Sequence, residues 1–435
     1  MKSWIFAGAA CAALVGAAQP ALAATPLLPN GAIAAPGAHQ AVGVFYASRS
    51  GAPLWLKSPA DMAAAREFIS VLRRAPFDGF ASGPALAAQA EAMLARAASG
   101  DAAARNSAEH LLSSAWTLYV RALQTPPPGM TIADSWVAPR RDTPGQILAR
   151  AAAAPSLAEH VRSVSAVNPV YAELRDAAWN MAQASGGQAD GRVLASLDRA
   201  RAMPFQKRYV MIDAASARLF MIENGRIADS MKVIVGKAQT QTPMLASTIY
   251  YATLNPYWNV PGDLAQKLIA PRVLDQGVSY LKEKNYEVLS GEGKDAQPVD
   301  PSTIDWKAVA AGTQTVRLRQ LPGPANSMGQ VKFGFPNAND IFLHDTPNKD
   351  LFVQASRDLS NGCIRLEDAS RLGRWLLGRD LIANSDAPEQ HVLLPTPVPV
   401  FVTYLTAQAN QGQLTFVADV YGRDAARASQ VAALR

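Results

Sequence analysis

Cys363 stands in the run Ser360-Asn361-Gly362-Cys363-Ile364-Arg365, downstream of Phe342-Leu343-His344-Asp345-Thr346-Pro347. One thiol paired with one upstream histidine is the pattern of a nucleophilic cysteine enzyme, in which a thiolate attacks an amide and an imidazole moves the proton. The histidines are His39, His110, His160, His344 and His391, and only His344 lies on a strand-like run close upstream of the thiol. Residues 341–344 should alternate faces, which places Phe342 and His344 on the same side. Asp345 follows, and Thr346-Pro347 ends the strand so that the imidazole is held at its mouth. Asp345 would orient the ring through its side chain or its backbone carbonyl, and the sequence leaves that choice open. Asn361-Gly362 forces a tight turn before the thiol, and a turn beside the cation Arg365 is a place where a thiolate is stabilised. The same pair would also serve simply to close a hairpin. The two readings are compatible, since a sharp turn is how a strand end presents a nucleophile. The backbone N–H groups of Gly362 and Cys363 are natural donors to a tetrahedral oxyanion, with glycine permitting close approach. Arg365 suits a substrate carboxylate or a surface ion pair. No further Cys or His lies close enough to Cys363 and His344 to complete a ligand set, so neither a metal nor a cofactor is expected.

The elements that must position these groups fall into two textures. Residues 60–202 are rich in alanine and helically spaced, as in Met62 to Leu72 and Ser107 to Tyr119, with Pro126-Pro127-Pro128-Gly129 as an interrupting loop. From Arg208 the pattern becomes strands: Tyr209 to Asp213, Arg218 to Ile222 and Met231 to Val235, with turns at Glu223-Asn224-Gly225 and Gly236. Between Pro261 and Gly312 the chain turns helical and charged again, and an insertion of that length between strands reads as a lid. Strands resume at Thr315 to Leu318, Val331 to Phe335 and Ile341 to His344, a helix follows over Asp368 to Leu377, and Val398 to Tyr404 with Leu414 to Ala418 read as a closing strand pair. The fold class expected is α+β: a helical domain over residues 24–204, a β-rich catalytic domain over 205–384 carrying a helical lid at about 262–312, and a strand pair with tail over 385–435.

At 435 residues, with 49% hydrophobic and 17% charged residues, the chain has material for more than one core. A net charge of +6 suits work beside anionic polymers or membrane surfaces. Nucleic acid is not an expected partner, because the arginines are scattered and no aromatic-basic module occurs. Met1-Lys2, the small apolar stretch Ile5 to Ala18 and the site Ala21-Leu22-Ala23 read as a cleaved secretory signal peptide over residues 1–23. No bulky aliphatic residue stands three places before Cys11, so a lipoprotein anchor is not expected. Nor does any later segment offer a membrane span. Loss of Cys11 with the signal peptide leaves Cys363 without a disulfide partner in an oxidising compartment.

Residues 208–380 resemble the catalytic domain of the L,D-transpeptidases, the YkuD-type fold, and most closely its YcbB-like Gram-negative branch. The matching runs are Val235-Gly236-Lys237 with Gln241-Thr242-Pro243, Leu254 to Pro261, Val331-Lys332-Phe333 with Phe335-Pro336-Asn337, His344-Asp345-Thr346-Pro347, and Ser360 to Arg365. The helical half is similar to that branch's scaffold domain through Ala52-Pro53-Leu54-Trp55, Ser107 to Leu112 and Asn168-Pro169-Val170-Tyr171, and the tail fits through Pro397 to Val400 and Asp419-Val420-Tyr421-Gly422. The resemblance implies a periplasmic enzyme in which Cys363 is the nucleophile, His344 the general base and acid, and Gly362 an oxyanion donor. Ser360, Asn361, Arg365, Tyr257, Trp258 and Asn259 would border the substrate, although Trp258 serves equally well as buried core. The substrates it implies are peptidoglycan tetrapeptide stems, acylated at the third residue with release of D-alanine. The acceptor would be a second stem, giving a 3-3 cross-link, or the amine of an outer-membrane or lipoprotein partner, and carbapenems would be inhibitors. With water as acceptor the enzyme would be an L,D-carboxypeptidase or endopeptidase, and a decayed site would leave a non-catalytic wall-binding scaffold. Two departures stand out. Many relatives carry histidine where this chain has Asn361, and only Gly186 to Pro204 separates the helical half from the first strand, leaving no room for the family's small peptidoglycan-binding module.

Overall fold

Alanine-rich segments with apolar residues at helical spacing fold as eight helices in the first half of a computed structural model that describes residues 36–185, 190–293 and 295–425. The signal-peptide reading, residues 1–23, and the start of the linker at Gly186 lie outside the described residues. The helices are α1 Pro36–Ser48, α2 Pro59–Arg74, α3 Gly83–Ala98, α4 Ala102–Leu123, α5 Pro144–Ala153, α6 Leu157–Ala166, α7 Pro169–Ser185 and α8 Gly191–Arg201. Their starts are marked by side-chain caps: Ser58 accepts from the Asp61 N–H, Asp101 from the Ala104 N–H, and Thr143 forms a reciprocal capping box with Gln146. Trp55 stacks on Phe68 at the centre of the bundle, and Trp116 and Tyr119 pack against them edge-on or tilted. His110 packs on Tyr46 and His160 on Trp116.

A sheet that closes on itself forms the second half. Its strands are β1 Arg208–Asp213, β2 Arg218–Glu223, β3 Arg226–Gly236, β4 Leu245–Leu254, β5 Val331–Gly334, β6 Leu343–His344, β7 Ile364–Leu366 and β8 Gln390–Thr403. Round the ring the order is β4-β5-β6-β7-β3-β2-β1-β8, and β8 returns to β4. Val400, Phe401 and Val402 have neighbours on both sides, parallel to β1 and antiparallel to β4. The interior is apolar, filled by residues such as Leu219, Val233, Phe333, Leu343 and Ile364. The outer face of β1, β2 and β8 shares one core with the helices through Tyr209, Met211, Ile222 and Phe401.

These findings bear out the α+β reading and correct three of its details. Val398 to Thr403 does not pair with Leu414 to Phe416; it closes the ring, because a strand buried on both faces needs both of its edges hydrogen-bonded. The hairpin of the tail is instead Ala407–Asn410 with Gln413–Phe416, turned by Gln411 and Gly412 at positive φ. The insertion is broader than 262–312 and is not purely helical. It runs from Trp258 to Gln320, and a four-stranded sheet of Trp258–Val260, Arg317–Gln320, Tyr286–Leu289 and Pro298–Val299 backs its helices around a small core of Val260, Ile269, Leu281, Trp306 and Leu318. Finally β4, which sequence reading passed over, is the strand from whose end the insertion springs.

The run Ala52 to Trp55 has a specific anchor. Glu109, 4% exposed, accepts the backbone N–H groups of Leu54, Trp55 and Leu56 and the Tyr46 hydroxyl. Glu109→Ala orphans three buried donors, and at about 1–3 kcal/mol for each it should remove roughly 3 kcal/mol or more of stability. Urea unfolding followed by tryptophan fluorescence should show a lowered midpoint; an unchanged midpoint would mean that these bonds are not limiting.

Candidate active site

Two short strands bring the chemistry together. β6 runs parallel to β7 with Leu343 opposite Ile364 and His344 opposite Arg365. Leu343 and Ile364 are fully buried in the ring. Alternation then sends His344, Arg365 and Cys363, the residue just before β7, to the other face. With strands about 4.8 Å apart and a rise of about 3.3 Å per residue, the Cα atoms of His344 and Cys363 lie on the order of 8 Å from one another, a span that imidazole and thiol can bridge.

His344 is 4% exposed, and its Nδ1 lies 2.6 Å from the Asp345 carbonyl oxygen. A carbonyl only accepts, so Nδ1 carries the hydrogen and Nε2 keeps the lone pair of a base. The backbone carbonyl, not the carboxylate, is therefore the orienting group. The Asp345 carboxylate has its own partners, the Gln330 N–H at 3.0 Å and Lys349 Nζ at 2.8 Å, and it packs against Gly329, whose φ is +61°. A Cβ on Gly329 would overlap that carboxylate. Burial pushes the imidazole pKa down to about 4, with the Asp345 carbonyl opposing and Arg365 assisting.

The nucleophile turn is held by hydroxyls. Ser360 Oγ donates to the Cys363 carbonyl at 2.6 Å and accepts the Gly362 N–H at 3.1 Å. Thr242 Oγ1 donates to the Gly362 carbonyl at 2.8 Å, and Thr240 Oγ1 to the Ser360 carbonyl at 3.1 Å. Gly362 has φ +119°, a conformation that requires glycine. Its N–H is spent on Ser360, which corrects the expectation that it faces an oxyanion. The Cys363 N–H makes no hydrogen bond among the described residues and is the donor left at the turn. Asn361 is exposed, and its side chain makes no hydrogen bond among the described residues; the turn's side-chain bonds come from Ser360, Thr240 and Thr242.

Cys363 is half-buried, and its thiol donates to the Asp340 carbonyl over 3.6 Å. Burial raises the thiol pKa; the Phe342 N–H and Arg365 oppose this without overcoming it. At rest the pair is thus neutral thiol and neutral imidazole, not the cation-stabilised thiolate that the sequence suggested. Desolvation outweighs one neighbouring guanidinium here.

Among the described residues Arg365 is half-buried, with no ion-pair or hydrogen-bond partner, on the face of His344. That arrangement rules out the surface ion pair. Tyr257 lies at the neck of the insertion with Arg319 over its ring, 4.5 Å from the centroid. Trp258 is partly buried against the insertion's own core, beside Tyr286, so the buried-core reading applies to it. Asn259 is exposed. Sequence reading missed Thr242, Asp340, Lys332 and Glu389. Of these, Thr242 and Lys332 stood inside quoted motifs, but nothing in a motif says which backbone group a side chain will meet.

A base buried neutral ties stability to pH. Its folded pKa of about 4 lies below the ordinary 6.5, so the unfolded chain binds the proton more readily. The stabilisation is present above pH 6.5 and lost as pH falls through 4. Compared with His344→Gln, the wild type should lose on the order of 3 kcal/mol between those limits, read by urea titrations at successive pH values; parallel curves would refute a buried neutral ring. Gly329→Ala should displace the Asp345 carbonyl and slow Cys363-dependent turnover by roughly tenfold or more, since a positioned acid-base contributes at least a hundredfold. Its global stability should fall far less than its activity.

Residues 207–400 match the L,D-transpeptidase catalytic domain of the YkuD family, and residues 40–177 match the Scaffold domain family. A putative L,D-transpeptidase of Haemophilus influenzae is 30% identical over 233 residues, which cover 52% of this chain and 46% of that protein. The chain thus spans about half the length of that curated relative. Among solved structures, the Ldtfm–avibactam carbamoyl enzyme overlaps 46% of this chain and 51% of its own at 12% identity and a TM-score of 0.23. An L,D-transpeptidase from Mycobacterium smegmatis overlaps 45% and 58% at the same identity and TM-score. Overlaps so low add nothing to the assignment, which rests on the domain matches and the curated relative: the chain carries an L,D-transpeptidase catalytic domain of the YkuD family behind a Scaffold domain.

Proposed function

We propose that the protein is a periplasmic L,D-transpeptidase of the YcbB-like branch, acting on peptidoglycan tetrapeptide stems through a Cys363 thioester. The observation that carries this reading is the common outer face of Cys363, His344 and Arg365, with Nε2 of His344 left basic by the Asp345 carbonyl. As Sγ attacks the carbonyl of the third stem residue, the thiol proton leaves its Asp340 contact for Nε2. The Cys363 N–H meets the oxyanion. Collapse breaks the amide bond, Nε2 returns the proton to the departing D-alanine amine, and a thioester remains. An acceptor amine then attacks, gives its proton to Nε2 and releases the thiol. That amine belongs to a second stem or to an outer-membrane or lipoprotein partner. The unpaired Arg365 takes a substrate carboxylate, and the net charge of +6 favours an anionic wall polymer. Export is supported by the N-terminal sequence of residues 1–23.

Incubation with purified tetrapeptide, followed by mass analysis, tests the reading directly. Dimer is expected; tripeptide alone would show a carboxypeptidase, and unchanged substrate a binding scaffold. A carbapenem should add once to the wild type and not to Cys363→Ala, and an adduct on the alanine variant would remove Cys363 as nucleophile. His344→Ala should consume tetrapeptide roughly a hundredfold more slowly. Asn361→His should leave turnover nearly unchanged, because the side chain it replaces is exposed and unbonded.

A further inference from the structure

The insertion leaves the sheet at Asn255-Pro256-Tyr257, and this neck is tied to the catalytic strands at two points. The first runs through the backbone: the Asn255 N–H donates to the Gln330 carbonyl at 3.0 Å, and the Gln330 N–H donates to the same Asp345 whose carbonyl holds His344. The second runs through Glu389. Its Oε1 accepts the Tyr257 N–H at 2.7 Å and Lys332 Nζ at 3.1 Å, and Lys332 is the register partner of His344 on β5. The Glu389 N–H donates to the Asn255 carbonyl at 3.0 Å, and the Asn255 amide reaches back to the Ser385 and Ala387 carbonyls. Both Asn255 and Glu389 sit at positive φ, 48° and 56°. Neither residue is glycine, so this backbone geometry is held by its surroundings. The returning neck is locked to the outgoing one by Asn326, 1% exposed, whose amide donates to the carbonyls of Pro256, Gln320 and Leu321. The insertion therefore has its own core, two necks joined together, and one carboxylate that fastens them to the strand beside the base.

We propose that Glu389 is a positioning residue for the reaction: with Lys332 it fixes the neck of the insertion against the strand that flanks His344, and so sets where the insertion stands relative to the face that carries Cys363. Only the kinetic part of this inference rests on the L,D-transpeptidase reading. The ion pair is mostly shielded, with Lys332 15% and Glu389 30% exposed, so it persists where a surface pair would be screened away.

Three variants of the full chain separate the contacts. Glu389→Gln keeps an oxygen for the Tyr257 N–H and loses the charge pair, Lys332→Met loses the charge pair alone, and Glu389→Ala loses both. In Glu389→Ala, amide exchange in Trp258–Val260 and Arg317–Gln320 should quicken by about tenfold or more, the size expected when a hydrogen bond to a charged group is lost, while β6 and β7 stay protected. The tetrapeptide KM should rise by a similar factor with kcat little changed. Alkylation of Cys363 by iodoacetamide, which needs no insertion, should keep its rate and pH dependence. Glu389→Gln and Lys332→Met, which both keep an acceptor for the Tyr257 N–H, should each fall between the wild type and Glu389→Ala. Unchanged exchange in Glu389→Ala overturns the proposal. If that variant fails to fold, a Lys332→Met protein with wild-type neck exchange and KM overturns it equally. A wild type that never consumes tetrapeptide overturns the functional reading alone, because the exchange results still decide the role of Glu389.

Discussion

The parallel pairing of Leu343–His344 with Ile364–Leu366 is the constraint on which this molecule depends. Two residues of ladder, Leu343 beside Ile364 and His344 beside Arg365, put the proposed base and the proposed nucleophile on one face although they stand 19 positions apart. A shift of one residue in that register would turn the imidazole into the apolar interior and expose Leu343. Burial of Leu343 and Ile364 opposes such a slip. At about 25 cal/mol per Å² of apolar surface, each side chain contributes roughly 2 kcal/mol toward holding the register.

So short a pairing needs support from outside, and the remote parts of the chain supply it. Arg199, on α8, donates to the carbonyls of Tyr404 and Arg423 and pairs with Asp424 at 2.7 Å, which pins the tail. From the tail the Tyr421 hydroxyl donates to the Gly236 carbonyl at 2.6 Å, the Gly236 N–H donates to Thr242 Oγ1, and Thr242 Oγ1 donates to the carbonyl of Gly362. Helix α8, the tail and the turn before Cys363 thus form a continuous hydrogen-bonded path. This explains why a helical domain and a C-terminal tail accompany a sheet that would otherwise look self-sufficient. The scaffold and the outer face of β1, β2 and β8 share a single core, so the two halves are not independent bodies.

The electrostatics of the site follow from burial more than from charge. Imidazole and thiol are both held in their neutral forms, the base by desolvation to a pKa of about 4 and the thiol by desolvation upward. Neutral partners cost little to bury at rest. In the proposed reaction charge would develop only as the thiol proton moves during attack, next to Arg365. A resting thiolate would make Cys363 reactive toward any electrophile, whereas a neutral thiol bonded to the Asp340 carbonyl stays quiet until a substrate engages it.

The sequence alone determined the two textures of the chain, the helical half and the strands from Arg208, and it singled out Cys363 and His344, because residue type, alternation and turn chemistry are local properties. It also placed Phe342 and His344 on one side of their strand. Other features depended on which groups meet and which face solvent once the chain has folded, and residue type and spacing do not encode that. Gly362 was legible as a turn glycine, but Ser360 claims its N–H; Asn361 was legible as a departure from the usual histidine, but its side chain faces solvent. Trp258 belonged either to a substrate wall or to a core, and only the insertion's own packing decided for the core. The closing strand was visible as an apolar run, yet its partners β1 and β4 lie roughly 150 to 190 positions away. Likewise the Asp345 carbonyl, the Glu389 fastening and the depressed pKa of His344 exist only once the ring has closed, since burial, register and hydrogen-bond partners over long separations are products of tertiary structure.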